Sequence, residues 1–503
     1  MTLSRISRRS LLTTGAAAGV LAASGLGLAA ATPKAGGTLR AVLPGGRSSD
    51  TWDVRTHDSL FMMAACHGAV FDCLTEIGPD GALRGELAES WTASADARVW
   101  TFDLRKDVQF HNGKSFVAQD VLETFALHIG QNTSPVEPIL RGVSELKAFG
   151  SHQVQFTLYA PNADFPYLLS DYHLVIYPAG YVELAMQNGI GTGLYKVEEF
   201  LPGQSLRARR VSNHYKGEKA GFFEALHCVN EIDPSARLNA LLEGDAEVAG
   251  QIAPTHARQI ATHKGLTLQN LAGNQHYSFA IGGALDAQQA DAVRRAVKYG
   301  LDRPALVQSS LQGFGQVGWD TPIGPANPYF SDQSDLVTYD PERARSLLKN
   351  EGIERLSLAV SPQSMRDFAP VLEAFGTQMA QIGLRVEIAQ DLSAASLHFS
   401  AGRATEDWAM STYLAKGGMW NRAAWQDRKA DELLSKARSE MDAQKREGLY
   451  GELQRLVQRD GSLVVPAFAN HLQATTDKIG TPMTIGAHYA LDNARFAERW
   501  WRA

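Results

Sequence analysis

The chain has 503 residues and carries 48 Lys and Arg against 54 Asp and Glu, a formal net charge of −6 at pH 7. A balance this mildly acidic argues against nucleic acid or an anionic lipid surface as partner. The length exceeds the roughly 250–300 residues that one core usually sustains, so at least two domains are expected.

Residues 1–31 separate from the rest by composition. Arg5, Arg8 and Arg9 precede a stretch from Leu11 to Ala31 that is apolar or small apart from Thr13, Thr14 and Ser24, and Ala29, Ala30 and Ala31 supply small residues for cleavage. That pattern reads as an export signal cleaved near Ala31. Ser7-Arg8-Arg9-Ser10-Leu11-Leu12 also fits the twin-arginine type, with an ordinary secretory signal as the alternative. Its removal takes three arginines and no acid, moving the formal charge to −9. No cysteine lies near the cleavage site and no later segment offers the roughly 18 continuous apolar residues of a span, so the mature chain is expected free in the periplasm. Cys66, Cys73 and Cys228 are an odd set for an oxidising compartment. Cys66 and Cys73 read as one helix, about 10 Å apart along its axis, too far to bridge. Buried free thiols are expected, a pairing with Cys228 being the alternative.

Further along, Leu87 to Leu104 reads as two short strands about a turn, with Val99 to Leu104 alternating apolar and polar. A polar loop and a helix opening at Ser115 to Asp120 follow, its apolar face set by Val121, Leu122, Phe125 and Ile129. Val293 to Leu301 is amphipathic, and Asp302-Arg303-Pro304 starts a second helix. Gly313, Gly315 and Gly318 spell GxGxxG, but a helix precedes them where the dinucleotide fingerprint needs a strand, so they read as a loop. Asp340-Pro341 caps another helix that Gly352 closes. Strands and helices thus mix throughout, an α/β pattern with no internal repeat.

The string LAESW, then WTFDLRKDVQFHNGKSF, then AQDVLETF closely resembles the signature region of the dipeptide/oligopeptide/nickel class of extracellular solute-binding proteins, receptors that deliver ligands to ABC importers. The likeness extends in order through Gly191 to Tyr195, Pro202-Gly203, Asn213-His214-Tyr215, Arg237 to Asp245, Val293 to Arg303 and Tyr339 to Leu348. It implies a bilobal periplasmic-binding-protein fold, two α/β lobes joined by two crossing segments. Lobe I would span 36–271 with an inserted subdomain at about 48–180, lobe II 272–468, and the tail 469–503 would return to lobe I. Leu271 to Tyr277 and Val464 to Asn470 are the expected crossings.

Catalytic motifs are absent: there is no HExxH, GxSxG or GxxxxGK[ST], so no enzyme activity is expected. The 14 histidines include no i, i+4 pair and no cluster with cysteine, and no metal or cofactor is assigned. Trp408, Tyr413, Trp420 and Trp425 crowd a stretch without helical period, interleaved with Lys416, Asn421 and Arg422, as a pocket wall would be. In the resembled peptide receptors an Asp here faces the ligand's amino group. Alignment by eye puts Lys416 on that Asp, which points to an anionic or zwitterionic ligand rather than a peptide amine. The expected ligand residues are therefore Lys416, Trp408, Tyr413, Trp420, Arg422 and Tyr277. The resemblance implies a monomer that captures a small organic solute, closes, and docks transiently on an inner-membrane ABC permease. The alternatives are a sensory receptor for a chemoreceptor or kinase, a nickel-complex or haem receptor, and a secreted hydrolase.

Overall fold

The computed structural model describes residues 33–131, 133–332, 338–360, 368–389, 394–416, 418, 420–421 and 423–503. The Arg8-Arg9 segment, its cleavage site and Arg422 lie outside them.

Alternation builds the strand Val99–Leu104, which buries Trp100, Phe102 and Leu104 and pairs antiparallel with both Ala88–Ala93 and Gln153–Leu158. With Val143–Ala148 these form a four-stranded sheet. The helix Ala118–Ala126 starts where the Asp120 carboxylate accepts the Val117 N–H at 2.7 Å, and it lays Val121 and Phe125 on that sheet. It ends at Ala126, so Ile129, which continues the sequence period, lies in the turn beyond it. This insert's own core runs from Leu74 to Ile176, whereas Trp52 to Cys73 pack in the core of the lobe that carries it.

That lobe is built on a seven-stranded sheet. Its spatial order is Leu266–Leu271, His471–Thr476, Val248–Ala249, Thr38–Leu43, Ala225–Asn230, Ser205–Arg210 and Tyr195–Leu201, with only the strand Thr38–Leu43 parallel to its neighbours. A six-stranded sheet carries the other lobe, in the order Gly315–Val317, Leu463–Ala469, His276–Ile281, Ala395–Ser400, Arg355–Ala359 and Arg385–Ala389. Helices cover both of its faces, giving two cores. The fold is the bilobal α/β one.

The chain passes between the sheets at 272–275 and again at Asn470. Hydrogen bonds join the two crossings: Ala469 N–H donates to the Gln275 carbonyl and the Gln275 amide to the Asn470 carbonyl, both at 2.9 Å. Asn470 Nδ2 donates to Asn270 Oδ1 at 2.7 Å.

Local signals act as physical chemistry requires. Asp302 Oδ1 accepts the Ala305 N–H and Asp340 Oδ1 the Arg343 N–H, each at 2.9 Å. Gly191 and Gly193 let the backbone approach residues 69–71, where a Cβ would stand 2.1 Å from the Val70 carbonyl oxygen and 2.4 Å from that of Ala69. Two sequence expectations change. Gly315–Val317 is an edge strand rather than loop, paired with Leu463–Ala469, which spares Gly315 an exposed backbone. The helix Leu60–Cys66 stops at Cys66, so Cys73 is not on it; all three cysteines are free and buried. Among the described residues no helix is long and apolar enough to cross a membrane.

A buried charge network fastens the C-terminal tail to the first lobe and to the insert's entrance. Arg495 forks onto Glu86 at 2.6 and 2.9 Å and also meets Glu498 at 2.9 Å. Lys216 Nζ lies 2.8 Å from Glu86 and 3.0 Å from Glu498. Removing one partner of such a cluster leaves an uncompensated buried charge. Arg495→Met is expected to cost about 3–5 kcal/mol, read as a lowered unfolding midpoint of the ligand-free protein.

Candidate ligand-binding site

Strand Ala395–Ser400 ends at Ser400, and Gly402 turns the chain at a φ of +90°, with the Asn274 side chain packed where a Cβ would stand. Thr405 Oγ1 then accepts the Trp408 N–H at 3.2 Å and opens the helix Glu406–Tyr413. Between turn and helix sits Arg403. Its carbonyl accepts from Asn327 Nδ2 at 3.1 Å and Asn274 Nδ2 at 3.4 Å, which pins the backbone. Its guanidinium carbon lies over two indoles, 5.0 Å from the Trp408 ring centre and 4.6 Å from that of Trp420. Tyr413 completes the wall, its ring 5.2 Å from Trp420 and 5.5 Å from His276.

The guanidinium donates to the neighbouring Gly402 carbonyl at 2.8 Å, while Nε is shut from solvent with no hydrogen-bond partner among the described residues. Among the described residues Arg403 makes no ion pair. Beside it His276 is fully buried, Nδ1 facing the Asn274 carbonyl at 2.8 Å and Nε2 without a partner. Burial pushes the imidazole down to about 4, Arg403 adding to the effect. It is therefore neutral at pH 7, with the proton on Nδ1 and an open acceptor at Nε2. In the first lobe Tyr172 and Tyr489 pack edge to face at 5.8 Å; burial pushes both hydroxyls up, and the Arg403 charge opposes it.

The lobes touch beside this cage. Trp408 packs on the insert's core, the Ala163 N–H donates to the Arg438 carbonyl at 2.8 Å, and Asp164 pairs with Arg446 at 2.5 Å. Asp407 pairs with Arg438 at 2.8 Å, and Glu406 accepts the Tyr329 N–H at 2.6 Å. Each acid near Arg403 on this helix thus has its own partner.

Of the residues expected from sequence, Trp408, Tyr413 and Trp420 come together; Trp425 is half-buried on the same core. Tyr277 does not join them. It points to the other face of its strand, 5.3 Å from Phe368 and 5.2 Å from Phe399, because neighbours on a strand alternate and its predecessor His276 takes the cage side. Lys416 is exposed and lines an open groove with Asp427, Asp431 and Lys436. The strand stops at Ser400, and the turn after it carries Arg403, a cation that lies over Trp408 and Trp420. A period-2 pattern ending at Ser400, followed by small residues and one arginine, is the signal that could have found it.

Concavities of about 690 and 740 Å3 lie elsewhere, each within one lobe, the first beside Trp52 and His111 and the second beside Lys298 and Asp460. Glu76, Glu86 and Glu498 bring carboxylate oxygens within 4.8 Å of one another, but Lys216 and Arg495 fill the place a metal would take.

The model of the bacterial extracellular solute-binding proteins, family 5 Middle, matches residues 82–480. The di/tripeptide-binding protein 2 of Pseudomonas aeruginosa is 27% identical over 459 residues, 80% of this chain and 85% of that one. The nickel-binding periplasmic protein of Escherichia coli K12 is 29% identical over 297 residues, 56% of each. Among solved structures, the periplasmic binding protein AgaA of A. tumefaciens R10, in complex with agropinic acid, superposes with a TM-score of 0.81 at 21% identity, over 93% of this chain and 99% of that one. The Helicobacter pylori DppA complex with peptide STSA gives 0.77 at 20%, over 93% and 99%. At these identities the two structures speak for the fold alone.

Burial, and then Asp164 across the lobe contact, pushes Glu406 up to about 8. An unfolded glutamate titrates near 4.3, so the folded chain keeps a proton that the unfolded chain releases. Stability from this group is full below about pH 4.3 and is lost as pH rises towards about 8, on the order of 3–5 kcal/mol in all. Glu406→Gln keeps the acceptor for the Tyr329 N–H and should flatten the melting temperature between pH 5 and 8, measured without ligand.

Proposed function

The chain belongs to the bacterial extracellular solute-binding proteins of family 5, and from that premise we propose that it captures one small organic solute between its two lobes and presents the closed form to an ABC permease. It is a substrate-binding protein of an ABC importer; the identity of its solute and its action as a monomer are the finer parts of this reading. What supports capture between the lobes is a pair of polar groups beside the lobe contact, Arg403 Nε and His276 Nε2, buried without hydrogen-bond partners among the described residues. Buried polar groups are ordinarily satisfied, so a bound solute supplies what the protein does not. Two crossings tied by hydrogen bonds form the hinge about which the lobes would close. No observation favours the sensory or hydrolytic alternatives.

Binding to the folded state alone stabilises it by RT ln(1 + [L]/Kd), about 2.7 kcal/mol at a hundredfold excess over Kd. Native mass spectrometry of protein from its own periplasm should reveal a co-purifying solute. Returning that solute to stripped protein should raise the melting temperature and leave the solute chemically unaltered. Recovery of a converted product would refute the receptor and restore the hydrolase.

A periplasmic location is proposed from relatives such as the nickel-binding periplasmic protein, with residues 1–31 as the twin-arginine signal. Replacing Arg8 and Arg9 by lysine should leave precursor in the cytoplasm in a fractionation assay. Normal periplasmic accumulation of that double variant would assign export to the general secretory route.

A further inference from the structure

Cations near the lobe contact come in two kinds. Arg438 and Arg446 carry carboxylate partners, Asp407 and Asp164. Arg403 carries none among the described residues, although Asp407 is only four residues away and already engaged. The indoles of Trp408 and Trp420 attract its charge but accept none of its in-plane hydrogen bonds. A guanidinium has five N–H donors in a planar fork, and a single carbonyl, that of Gly402, is met here. Beside the fork stands the reverse case: neutral His276, an acceptor with nothing to accept.

We infer that Arg403 receives the carboxylate of the transported solute, and that His276 Nε2 accepts from an O–H or N–H on the same molecule. The inference rests on the reading of the chain as a solute receptor and deepens it by naming the solute class: small organic acids that also carry a hydrogen-bond donor. A planar carboxylate matches the guanidinium fork with two parallel hydrogen bonds, a match an ammonium ion cannot make. Arg403 stands on the turn between a central strand and a capped helix, with its carbonyl held by two asparagines, so the fork is set before the solute arrives. Asn274, whose amide holds the Arg403 carbonyl, also lies 3.4 Å from His488 Nδ1 of the first lobe, which ties the turn to the opposite wall.

The test uses the mature protein, stripped of ligand, and a panel of hydroxy acids, amino acids and dipeptides, with a periplasmic extract as a further sample. Compounds that raise the melting temperature are measured by calorimetry beside their carboxamides, on wild type, Arg403→Met and Arg403→Lys. The expected result is that hits are carboxylates, that each carboxamide binds wild type roughly 30-fold more weakly or worse, and that Arg403→Met loses a similar factor. Arg403→Lys should fall between, keeping charge without the fork. In Arg403→Met the gap between acid and carboxamide should close, which a merely structural role would not produce. Should Arg403→Met not fold, the comparison of acid and carboxamide on wild type decides alone. Acid and carboxamide binding wild type within threefold of each other overturns the inference and leaves the receptor standing. So does a hit that binds Arg403→Met as tightly as wild type. If nothing in the panel or the extract shifts wild type, the receptor reading falls and this inference falls with it.

Discussion

The chain goes from one sheet to the other and back within a single hydrogen-bonded patch, where Gln275 and Asn470 meet and Asn470 reaches Asn270. Covalent continuity thus constrains the lobes along one line only. Away from that line the described contacts include the Ala163 N–H on the Arg438 carbonyl and the Asp164–Arg446 pair, neither of them covalent. The seven-stranded sheet, the six-stranded sheet and the inserted four-stranded sheet each keep their own core, so the lobes can move as bodies while their interiors stay packed.

Charge is distributed differently in the lobe interiors and at their meeting face. Inside the first lobe, Lys216 and Arg495 are surrounded by Glu86 and Glu498, which makes the tail a fixed part of the body rather than a strap. At the meeting face, Asp164 with Arg446 spans the two lobes, and a few ångströms of opening would return both groups to water. Arg403 differs: it is held by aromatic faces and backbone-pinning asparagines, with no ion pair among the described residues. If Arg403 receives the acid of the solute, as inferred above, a solute without one would leave that cation without a hydrogen-bonded counter-charge in the closed cleft.

Much of this was legible from the residues, and the failures have physical causes. Val99 to Leu104 has one buried face, so its alternation is visible, and Asp302 and Asp340 act as local caps whose partners lie three residues away. His276–Ile281 is buried at every position, so nothing in its apolar run tells which face carries His276 and which Tyr277. The helix Glu406–Tyr413 spans eight residues, too few to show a period, and without it the aromatic stretch looked irregular. Without that helix the turn before it, which carries Arg403, drew no attention. Glu86 and Arg495 are 409 residues apart, and no local pattern announces such a pair.

Small-angle X-ray scattering on protein stripped by unfolding and refolded, before and after its own solute is returned, tests the central claim most directly. The account predicts a larger radius of gyration for the stripped protein and, with solute, a return to the smaller value expected of an arrangement in which the lobes touch. Identical curves with and without bound solute would contradict it.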